Sequence, residues 1–402
     1  MIPAPRQVVT LLVLSLLVAC GGRALILPTF EFIDPTPPLA VDAVVFLVGD
    51  AGYAIEGRSP VIAELTEDVE QWSRDIGRDS AVSVVYLGDN VYPEGLRDIG
   101  DPGHTADSTS LWAQIRVVAG PAAREFTTVA WFIPGNHDWG QMQGDGGIGR
   151  IMNLDSAIVD ARDQGFNTVL IPAAAGPGPM VRDLRRNVRL VALDTHWFLQ
   201  ERAERAKDEF FERITEALVE AGDREVIFMA HHPYRSGGAH GALVSTTKAL
   251  GLVYLLKKSG TLIQDLNSPI YRDFLARLDG AIAAAGRPPL IFAGGHDHSL
   301  QVLLGEGPRE PRYILVSGSA SQLSSIGQVP GLVFGASQPG YMMLVFRTDD
   351  SVALYVKAGA AERLSCDQPD EVERTACMNE AAQAFEVIYS TILLSAGGTL
   401  VP

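Results

Sequence analysis

Short apolar runs recur along this 402-residue chain, and most of them end abruptly in Gly, Asp, Asn or His. They are Ala43–Val48, Ala81–Leu87, Thr128–Ile133, Val188–Leu193, Glu225–Ala230 and Leu290–Ala293. Strands that are buried on both faces of a sheet have this nearly continuous apolar character, so the pattern predicts six such strands. Near the end of the chain, Tyr341–Phe346 and Val352–Val356 flank the turn residues Thr348–Ser351, which predicts a hairpin.

Helical periodicity appears between the apolar runs. Ser59 is a suitable N-cap, and Pro60 stands at the first helical position. The apolar stripe that follows consists of Val61, Ile62, Leu65, Val69, Trp72 and Ile76. A second helix is predicted over Glu201–Ala221, which is rich in Ala, Glu and Arg. Alternating strands and helices predict an α/β fold with a substantial β core, and the glycine-rich stretch Gly140–Pro179 predicts a long surface loop.

Composition limits the class of protein. With 47% apolar and 20% charged residues, the chain can bury a large core and is not disordered. No shift in composition divides residues 41–358, so we predict one domain there. The formal charge of −16 argues against a nucleic-acid binder, which needs a basic surface. It does not argue against an anionic substrate, because bound metal ions would dominate the local field.

The N-terminus predicts export. One positive side chain, Arg6, precedes the apolar run Val8–Ala19, which is too short to span a bilayer as a mature helix but suits a secretory signal. The run ends in Leu17-Val18-Ala19-Cys20, which resembles the bacterial lipoprotein signal, and that resemblance implies a lipidated Cys20. We therefore predict a signal peptide over 1–19, a membrane tether over 20–40, and a place in the periplasm or cell envelope. An ordinary signal peptide with an incidental cysteine is the alternative.

Two further cysteines, Cys366 and Cys377, lie in the C-terminal extension 359–402. In an oxidising compartment such a closely spaced pair predicts a disulfide, which would stabilise the fold by about 3 kcal/mol. Two free thiols, as in a cytosolic chain, are the alternative. No metal-type spacing surrounds either residue.

The polar residues at the strand ends carry the candidate chemistry. They are Gly49-Asp50-Ala51-Gly52, Gly88-Asp89-Asn90-Val91-Tyr92, Gly135-Asn136-His137-Asp138, His231-His232-Pro233 and Gly294-Gly295-His296-Asp297-His298. In open α/β sheets, ligands bind outside the carboxyl ends of the strands, so these ends can deliver their side chains to one place. Carboxylate, amide oxygen and imidazole together suit a binuclear site for iron, zinc or manganese. Each motif alone is more typical of a turn, but their joint occurrence favours a metal site.

This set of motifs resembles the calcineurin-like metallophosphoesterases, and within them the small purple acid phosphatases of the tartrate-resistant type. Tyr92 follows Asp89 by three residues, where that branch places an iron-binding tyrosinate. The segment His231–Gly241 resembles the one that bears the last metal histidine and, nine residues on, a substrate-side histidine. The resemblance runs from about Val44 to Val356 and implies a four-layer β-sandwich flanked by helices.

The resemblance also implies the roles of the site residues. The first ion, expected to be Fe(III), would be held by Asp50, Asp89, Tyr92 and His298, with Asp89 as the bridge. The second, expected to be Fe(II), Zn or Mn, would be completed by Asn136, His231 and His296. His137 and His240 would face the phosphate, whereas His232 would be no ligand. Two positions depart from the family pattern: Ala51 stands where this branch often has Trp, and Ala242–Asp265 resembles an insertion or a divergent loop. As an alternative, Tyr92 is a buried core aromatic.

The activity implied is hydrolysis of small phosphate monoesters by a metal-bound hydroxide, with an optimum at mildly acid pH. A phosphodiesterase or nucleotidase on the same scaffold is one alternative, because the pocket loops and not the metals choose the substrate. A lipid-anchored binding protein without catalysis is another. His104 and His196 lie outside the motifs and are predicted to be structural or exposed.

Overall fold

The computed structural model describes residues 41–54, 59–76, 81–141, 146–174, 176–184, 187–200, 202–241, 266–359, 384–395 and 399–400. The predicted signal peptide and tether, Cys20, Cys366, Cys377 and the whole of the predicted insertion or divergent loop Ala242–Asp265 lie outside these residues.

The strands of the described residues form two sheets. In chain order they are β1 Val41–Val48, β2 Ala81–Tyr86, β3 Val129–Phe132, β4 Thr168–Leu170, β5 Met180–Leu184, β6 Val188–Ala192, β7 Glu225–Met229, β8 Ile291–Gly294, β9 Leu300–Leu304, β10 Tyr313–Ser317, β11 Leu332–Ala336, β12 Gly340–Arg347, β13 Val352–Ala358, β14 Glu386–Ser395 and β15 Thr399–Leu400. The first sheet has the order β15-β14-β13-β12-β1-β2-β3-β4, and the second has the order β11-β9-β10-β8-β7-β6-β5. All six predicted buried strands and the predicted hairpin are present.

Parallel pairing within each sheet brings strand ends together. Strands β1, β2, β3 and β4 are parallel neighbours in the first sheet, and β6, β7, β8 and β10 are parallel neighbours in the second. The carboxyl ends of parallel neighbours lie on one edge of their sheet. Two such edges, one from each sheet, are therefore available for a common site.

The core lies between the sheets and on both of their outer faces. In β1, Ala43, Val45 and Leu47 point into the cluster between the two sheets, whereas Val44 and Phe46 pack with the helices of the outer face. All five are fully buried. Because both faces of β1 are covered, its sequence is apolar throughout and does not alternate.

Helices cover both outer faces. On the first sheet lie α1 Pro60–Ile76, α2 His104–Ile115, α3 Pro121–Glu125 and α4 Gly146–Asp163, and on the second lie α5 Thr195–Leu199, α6 Glu204–Val219 and α7 Pro269–Ala285. A short 3-10 turn over Arg116–Ala119 joins α2 to α3. The predicted cap of α1 is present, since the backbone N–H of Ile62 donates to Ser59 Oγ at 3.4 Å. The predicted α/β fold with a four-layer sandwich flanked by helices is confirmed.

The prediction of a long loop over Gly140–Pro179 was wrong. Helix α4 and strand β4 lie within it. Leu154, Ile158 and Ala161 recur at helical spacing along α4 and are buried against the first sheet. The glycines at the start of the stretch hid this period, because glycine is unfavourable inside a helix and normally indicates a loop.

The end of the chain extends the first sheet, a point that the sequence left undecided. Strand β14 pairs antiparallel with β13, with Val356 opposite Tyr389. The Tyr313 hydroxyl of the second sheet donates to the Leu393 carbonyl at 3.1 Å. Residues 386–395 are therefore part of the sandwich. Across the part of the chain that the structure describes, we find no helix with the length and apolar character needed to cross a membrane.

Candidate metal centre

The polar strand ends meet at one edge of the sandwich. Asp50, Asp89 and Asn136 follow β1, β2 and β3 of the first sheet, whereas His231 and His296 follow β7 and β8 of the second. Each of these residues is buried. The two sheets thus supply oxygen and nitrogen donors from opposite sides of the same cleft.

Unusual backbone conformations aim these side chains. Asp50, Asp89 and His296 have φ values of 60°, 56° and 66°, in the left-handed region that residues other than glycine rarely adopt. Such strain is found where a site requires a sharp turn directly after a strand. Gly135 permits a close approach there, since a Cβ on it would lie 2.2 Å from the Asp89 backbone nitrogen.

The first group of donors surrounds the Tyr92 hydroxyl. This oxygen lies 3.0 Å from Asp50 Oδ1, 3.0 Å from Asp89 Oδ2 and 3.3 Å from His298 Nε2. His298 Nε2 also lies 3.4 Å from Asp50 Oδ1. The other three residues that the resemblance assigned to the first ion, Asp50, Asp89 and His298, therefore all lie within contact distance of the Tyr92 hydroxyl.

This group fits a cation better than a set of hydrogen bonds. The Tyr92 hydroxyl has one proton, yet two carboxylates lie at hydrogen-bond distance from it, so one of the two contacts joins two acceptors. Burial, reinforced by Asp50 and Asp89, raises the pKa of Tyr92 well above its usual value and opposes loss of the proton. A metal ion among these oxygens would remove the conflict and permit a tyrosinate.

The second group converges on Asn136. Its Oδ1 lies 2.8 Å from His231 Nε2 and 3.1 Å from His296 Nδ1, and those two nitrogens are 3.2 Å apart. His231 Nδ1 lies 2.9 Å from the Leu87 carbonyl oxygen, which can only accept, so Nδ1 carries the proton. Nε2 is then the atom that faces the amide oxygen, as a donor when His231 is protonated and with a free lone pair when the imidazole is neutral. A metal ion would replace that proton and be coordinated by Nε2 and the amide oxygen, so these residues also fit a metal ion.

Asp89 joins the two groups. One of its oxygens accepts from Tyr92, whereas the other lies 3.3 Å from His231 Nε2, which is the arrangement of a bridging carboxylate. Burial alone would raise the pKa of Asp89, but the charges of His231 and His137 outweigh it and hold this pKa well below its usual range. Burial likewise opposes protonation of His231, and the Asp89 carboxylate reverses this and raises the His231 pKa to about 9. Without metal, a proton on His231 thus balances the carboxylate charge.

The two histidines predicted to face the phosphate lie at the solvent side of the centre. The His137 side chain is 21% exposed, and its ring centroid lies 4.3 Å from that of Tyr92. Its Nδ1 donates to the Pro93 carbonyl at 2.5 Å, which leaves Nε2 on the other side of the ring, 3.9 Å from Asp89 Oδ2. The His240 ring is half-buried, 4.2 Å from that of His296.

The remaining histidines fall outside these contacts. His104 lies at the start of α2 and bonds to the Arg97 carbonyl, whereas His196 is buried and lies 2.9 Å from the Gln141 carbonyl oxygen. His232 is closer to the centre than the sequence indicated. His232 is fully buried. One ring nitrogen from each of His231, His232 and His296 lies within 4.8 Å of the other two. Its Nδ1 is 2.8 Å from the Thr195 hydroxyl.

Sequence reasoning missed the role of Asp138. Its buried carboxylate accepts from the backbone N–H groups of Gly135, Asn90 and Val91 at 2.8, 2.9 and 3.0 Å. These bonds connect the turn after β2 to the turn after β3 and so fix Asp89 relative to Asn136. Burial, with the nearby Asp89 charge, raises the Asp138 pKa to about 7. The signal was present as the last residue of Gly-Asn-His-Asp, but two of its partners, Asn90 and Val91, lie in another loop.

A cavity of about 760 Å³ lies elsewhere, at the opposite end of the sandwich. Its lining includes Asp42, Glu225 and Arg347, from the start of β1, the start of β7 and the end of β12. The candidate ligands Asp50 and His231 follow the opposite, carboxyl ends of β1 and β7. We therefore assign the chemistry to the donor cluster and not to this cavity.

Comparison with known proteins relates this fold to phosphoesterases. No protein-family model matches the chain, and no curated protein sequence does. Among solved structures, purple acid phosphatase PPD1 from yellow lupin (Lupinus luteus) seeds has a TM-score of 0.54 at 15% identity, over 89% of this chain and 54% of that one. PhoD has a TM-score of 0.52 at 9% identity, over 88% and 69%. GAP50, described as the anchor in the inner membrane complex of Plasmodium, has a TM-score of 0.50 at 13% identity, over 87% and 88%.

The likeness extends over most of this chain, although the chain spans only about half of the lupin enzyme. At these identities it concerns the fold alone. The fold is the one shared by purple acid phosphatase and PhoD, the calcineurin-like phosphoesterase fold. Within it, this chain has His and Asp groups that can bind metal.

Proposed function

We propose that this protein hydrolyses phosphate monoesters at a binuclear metal centre. The observation that carries the proposal is the convergence of two donor groups on one carboxylate, Asp89, whose oxygens contact Tyr92 on one side and His231 on the other. Asp50, Tyr92 and His298 would hold one ion with Asp89, and Asn136, His231 and His296 the other. We propose Fe(III) for the first position and Fe(II), Zn or Mn for the second.

Bound there, two cations would neutralise the charge of the phosphoryl oxygens and acidify a water molecule so that it can attack phosphorus. The chain's own residues would do the rest. His137, whose Nδ1 is fixed on the Pro93 carbonyl, would present Nε2 to a phosphoryl oxygen. His240 would approach from the side of His296. Either imidazole, when protonated, can donate to the substrate or to its leaving group.

The experiment that tests this proposal is hydrolysis of p-nitrophenyl phosphate and bis(p-nitrophenyl) phosphate by the purified, metal-loaded chain from pH 4 to pH 9. We expect turnover of the monoester with an optimum below pH 7. An optimum well above pH 8 would exclude the Fe(III) assignment, and failure to hydrolyse either ester with both metals bound would exclude the proposed activity.

Two other functions are outcomes of the same experiment. Preference for the diester at neutral or alkaline pH would favour a phosphodiesterase or nucleotidase on the same scaffold. Metal binding without turnover would favour a binding role, for which GAP50, named as an anchor, offers a precedent within the fold. The complete donor set favours catalysis, because a decayed catalytic site should show missing ligands, and all seven candidate ligand residues are present.

We further propose that the protein is exported and anchored through a lipid on Cys20. The support is the sequence Leu17-Val18-Ala19-Cys20 after an apolar run. Expression in a bacterial host, followed by fractionation, tests this. The wild-type chain is expected in the membrane fraction and Cys20→Ala outside it, and equal partition of the two would exclude the anchor.

A further inference from the structure

The segment Ser236–Gly241, which carries His240, has little regular structure of its own. Its position is fixed by bonds to the chain just beyond the metal histidines. The backbone N–H of His240 donates to Asp297 Oδ1 at 2.8 Å. Asp297 is fully buried and lies between His296 and His298 in sequence. One short loop thus carries two predicted metal ligands and the acceptor for His240.

Further contacts hold the rest of the segment. The buried Gln301 side chain, on β9, accepts from the Gly237 N–H at 2.8 Å and donates to Ser236 Oγ at 2.9 Å. At Gly238 a Cβ would lie 2.5 Å from the Asp297 carboxyl carbon, so only glycine fits against this carboxylate. The segment therefore lies directly on the Asp297 side chain.

The Asp297 carboxylate has a limited set of partners. Among the described residues, its second oxygen, Oδ2, has no hydrogen-bond donor although it is buried. A buried carboxylate without full hydrogen bonding is costly to the fold. A purely structural role therefore explains Asp297 poorly. The donor to its other oxygen, Oδ1, is the backbone N–H of His240, which is predicted to contact phosphate.

We propose that Asp297 is a positioning residue for His240. Its carboxylate accepts a hydrogen bond from the His240 backbone N–H and so fixes the backbone from which the His240 side chain extends. The imidazole is therefore already in place next to His296 when phosphate binds. The inference rests on the proposed function, because it takes His240 to contact phosphate. Pre-organisation of this kind improves binding by reducing the ordering that binding requires.

A double-mutant cycle on the full-length, metal-loaded chain tests the coupling, with inorganic phosphate as the probe and calorimetry as the measurement. Loss of a hydrogen bond near a charged group should weaken phosphate binding about tenfold in Asp297→Ala. His240→Ala should weaken it at least as much, and the double variant no more than His240→Ala alone. Asp297→Asn, which keeps an acceptor oxygen, should bind within about threefold of the wild type. The proposal would be overturned if Asp297→Ala weakened phosphate binding by the same factor in the wild-type chain and in the His240→Ala variant.

Two measurements do not depend on turnover. Amide hydrogen exchange of a peptide spanning 236–241 should become faster in Asp297→Ala and stay slow in Asp297→Asn. Metal content should be unchanged in both, and loss of metal would mean that Asp297 acts through His296 and His298 instead. Ser268→Ala, which removes the α7 N-cap bond to the Tyr271 N–H, is the control for general destabilisation.

The outcomes separate this inference from the proposed function. If the metal-loaded chain hydrolyses no ester, the proposed activity fails. The calorimetry of phosphate binding and the amide hydrogen exchange still decide the role of Asp297, because neither depends on turnover. If Asp297→Ala does not fold, Gly238→Ala takes its place, because the added Cβ would lie 2.5 Å from the Asp297 carboxyl carbon and would push the segment away from this carboxylate. We then expect faster exchange over the same peptide and weaker phosphate binding. Unchanged exchange and unchanged phosphate binding in that variant would overturn the proposal.

Discussion

At the scale of single residues, the candidate centre is defined by contacts that are unfavourable without a cation. Tyr92 offers one proton to two carboxylates, so one of its contacts, to Asp50 or to Asp89, joins two acceptors. In a dry interior such an acceptor pair is costly. It indicates which side chains are candidate metal ligands more directly than the presence of His and Asp alone, since buried histidines such as His196 also occur outside the centre.

The bridge gives the first prediction. Asp89→Ala removes the carboxylate that contacts both donor groups, so metal content should fall from two ions per chain to one or none, and turnover should fall by about a thousandfold or more. Elemental analysis after gel filtration measures the metal. Asp279→Ala is the control, because this carboxylate lies on α7 and accepts from the Tyr234 hydroxyl, not from a residue of the two donor groups. Two ions per chain in Asp89→Ala would refute the bridging role.

Tyr92 gives a second prediction at this scale. If its oxygen binds Fe(III), the iron-loaded protein should be coloured by charge transfer from tyrosinate, and Tyr92→Phe should lose that absorption while Asp50, Asp89 and His298 still hold iron. The visible spectrum, normalised to iron content, is the measurement. Tyr234→Phe removes another buried hydroxyl and should keep the colour. A wild-type protein that binds iron without this band would favour the reading of Tyr92 as a core aromatic.

At the scale of elements, strand ends and helix starts position the centre. The turns after β2 and β3 are connected through Asp138, and the start of α5 is capped by Asp194, whose carboxylate accepts from the Trp197 N–H at 3.0 Å and from the Trp139 indole at 2.8 Å. Trp139 belongs to the same loop as Asn136 and His137. The second sheet's helix α5 is thus tied to a loop of the first sheet.

Asp194 predicts a dependence of stability on pH. Burial raises its pKa from the usual 3.8 to about 7. A carboxyl group whose pKa is higher in the folded state contributes stability that is complete below pH 4 and is lost as pH rises through 7. Between pH 5 and pH 8, the free energy of unfolding should therefore fall by about 3 kcal/mol more in the wild type than in Asp194→Asn.

Urea unfolding of both proteins in chelator, at pH 5 and pH 8, measures this difference. Asn keeps the oxygen that accepts from Trp197 but offers no acceptor to the Trp139 indole. The variant should therefore also show a lower free energy of unfolding at every pH, by an amount that does not change with pH. Identical pH slopes for the two proteins would show that Asp194 is ionised in the fold at pH 5.

At the scale of the whole molecule, the centre lies between two sheets, so metal should stabilise their association. Ligands that bind only the folded state add RT ln(1 + [L]/Kd), which is about 4 kcal/mol per site when free metal exceeds its Kd a thousandfold. Chelation should lower the melting temperature accordingly, as differential scanning calorimetry measures. Asp89→Ala should show a much smaller response. Equal melting temperatures with and without chelator would mean that no metal is held in the fold.

How far the sequence predicted this molecule depended on the range of the interactions. Apolar runs such as Ala43–Val48 predicted their strands, because a strand that is covered on both faces shows a local signature. The motifs also predicted which strand ends carry donors. Glycines hid α4, and the mixed polar sequence before β14 gave no indication that the end of the chain joins the first sheet. Both depend on surfaces supplied by distant segments.

The sequence alone determined the donor types and their places at strand ends, since both the chemistry of a residue and the residues that end an apolar run are local properties of the sequence. Only the tertiary structure decided which donors meet. It placed the Asp89 carboxylate between Tyr92 and His231, connected Asp138 to the turn after β2, and put Asp297 beneath His240. The physical reason is that, apart from the local pair Asp89 and Tyr92, these contacts join segments far apart in the chain. Their distances are set by strand pairing within each sheet and by the packing of one sheet on the other.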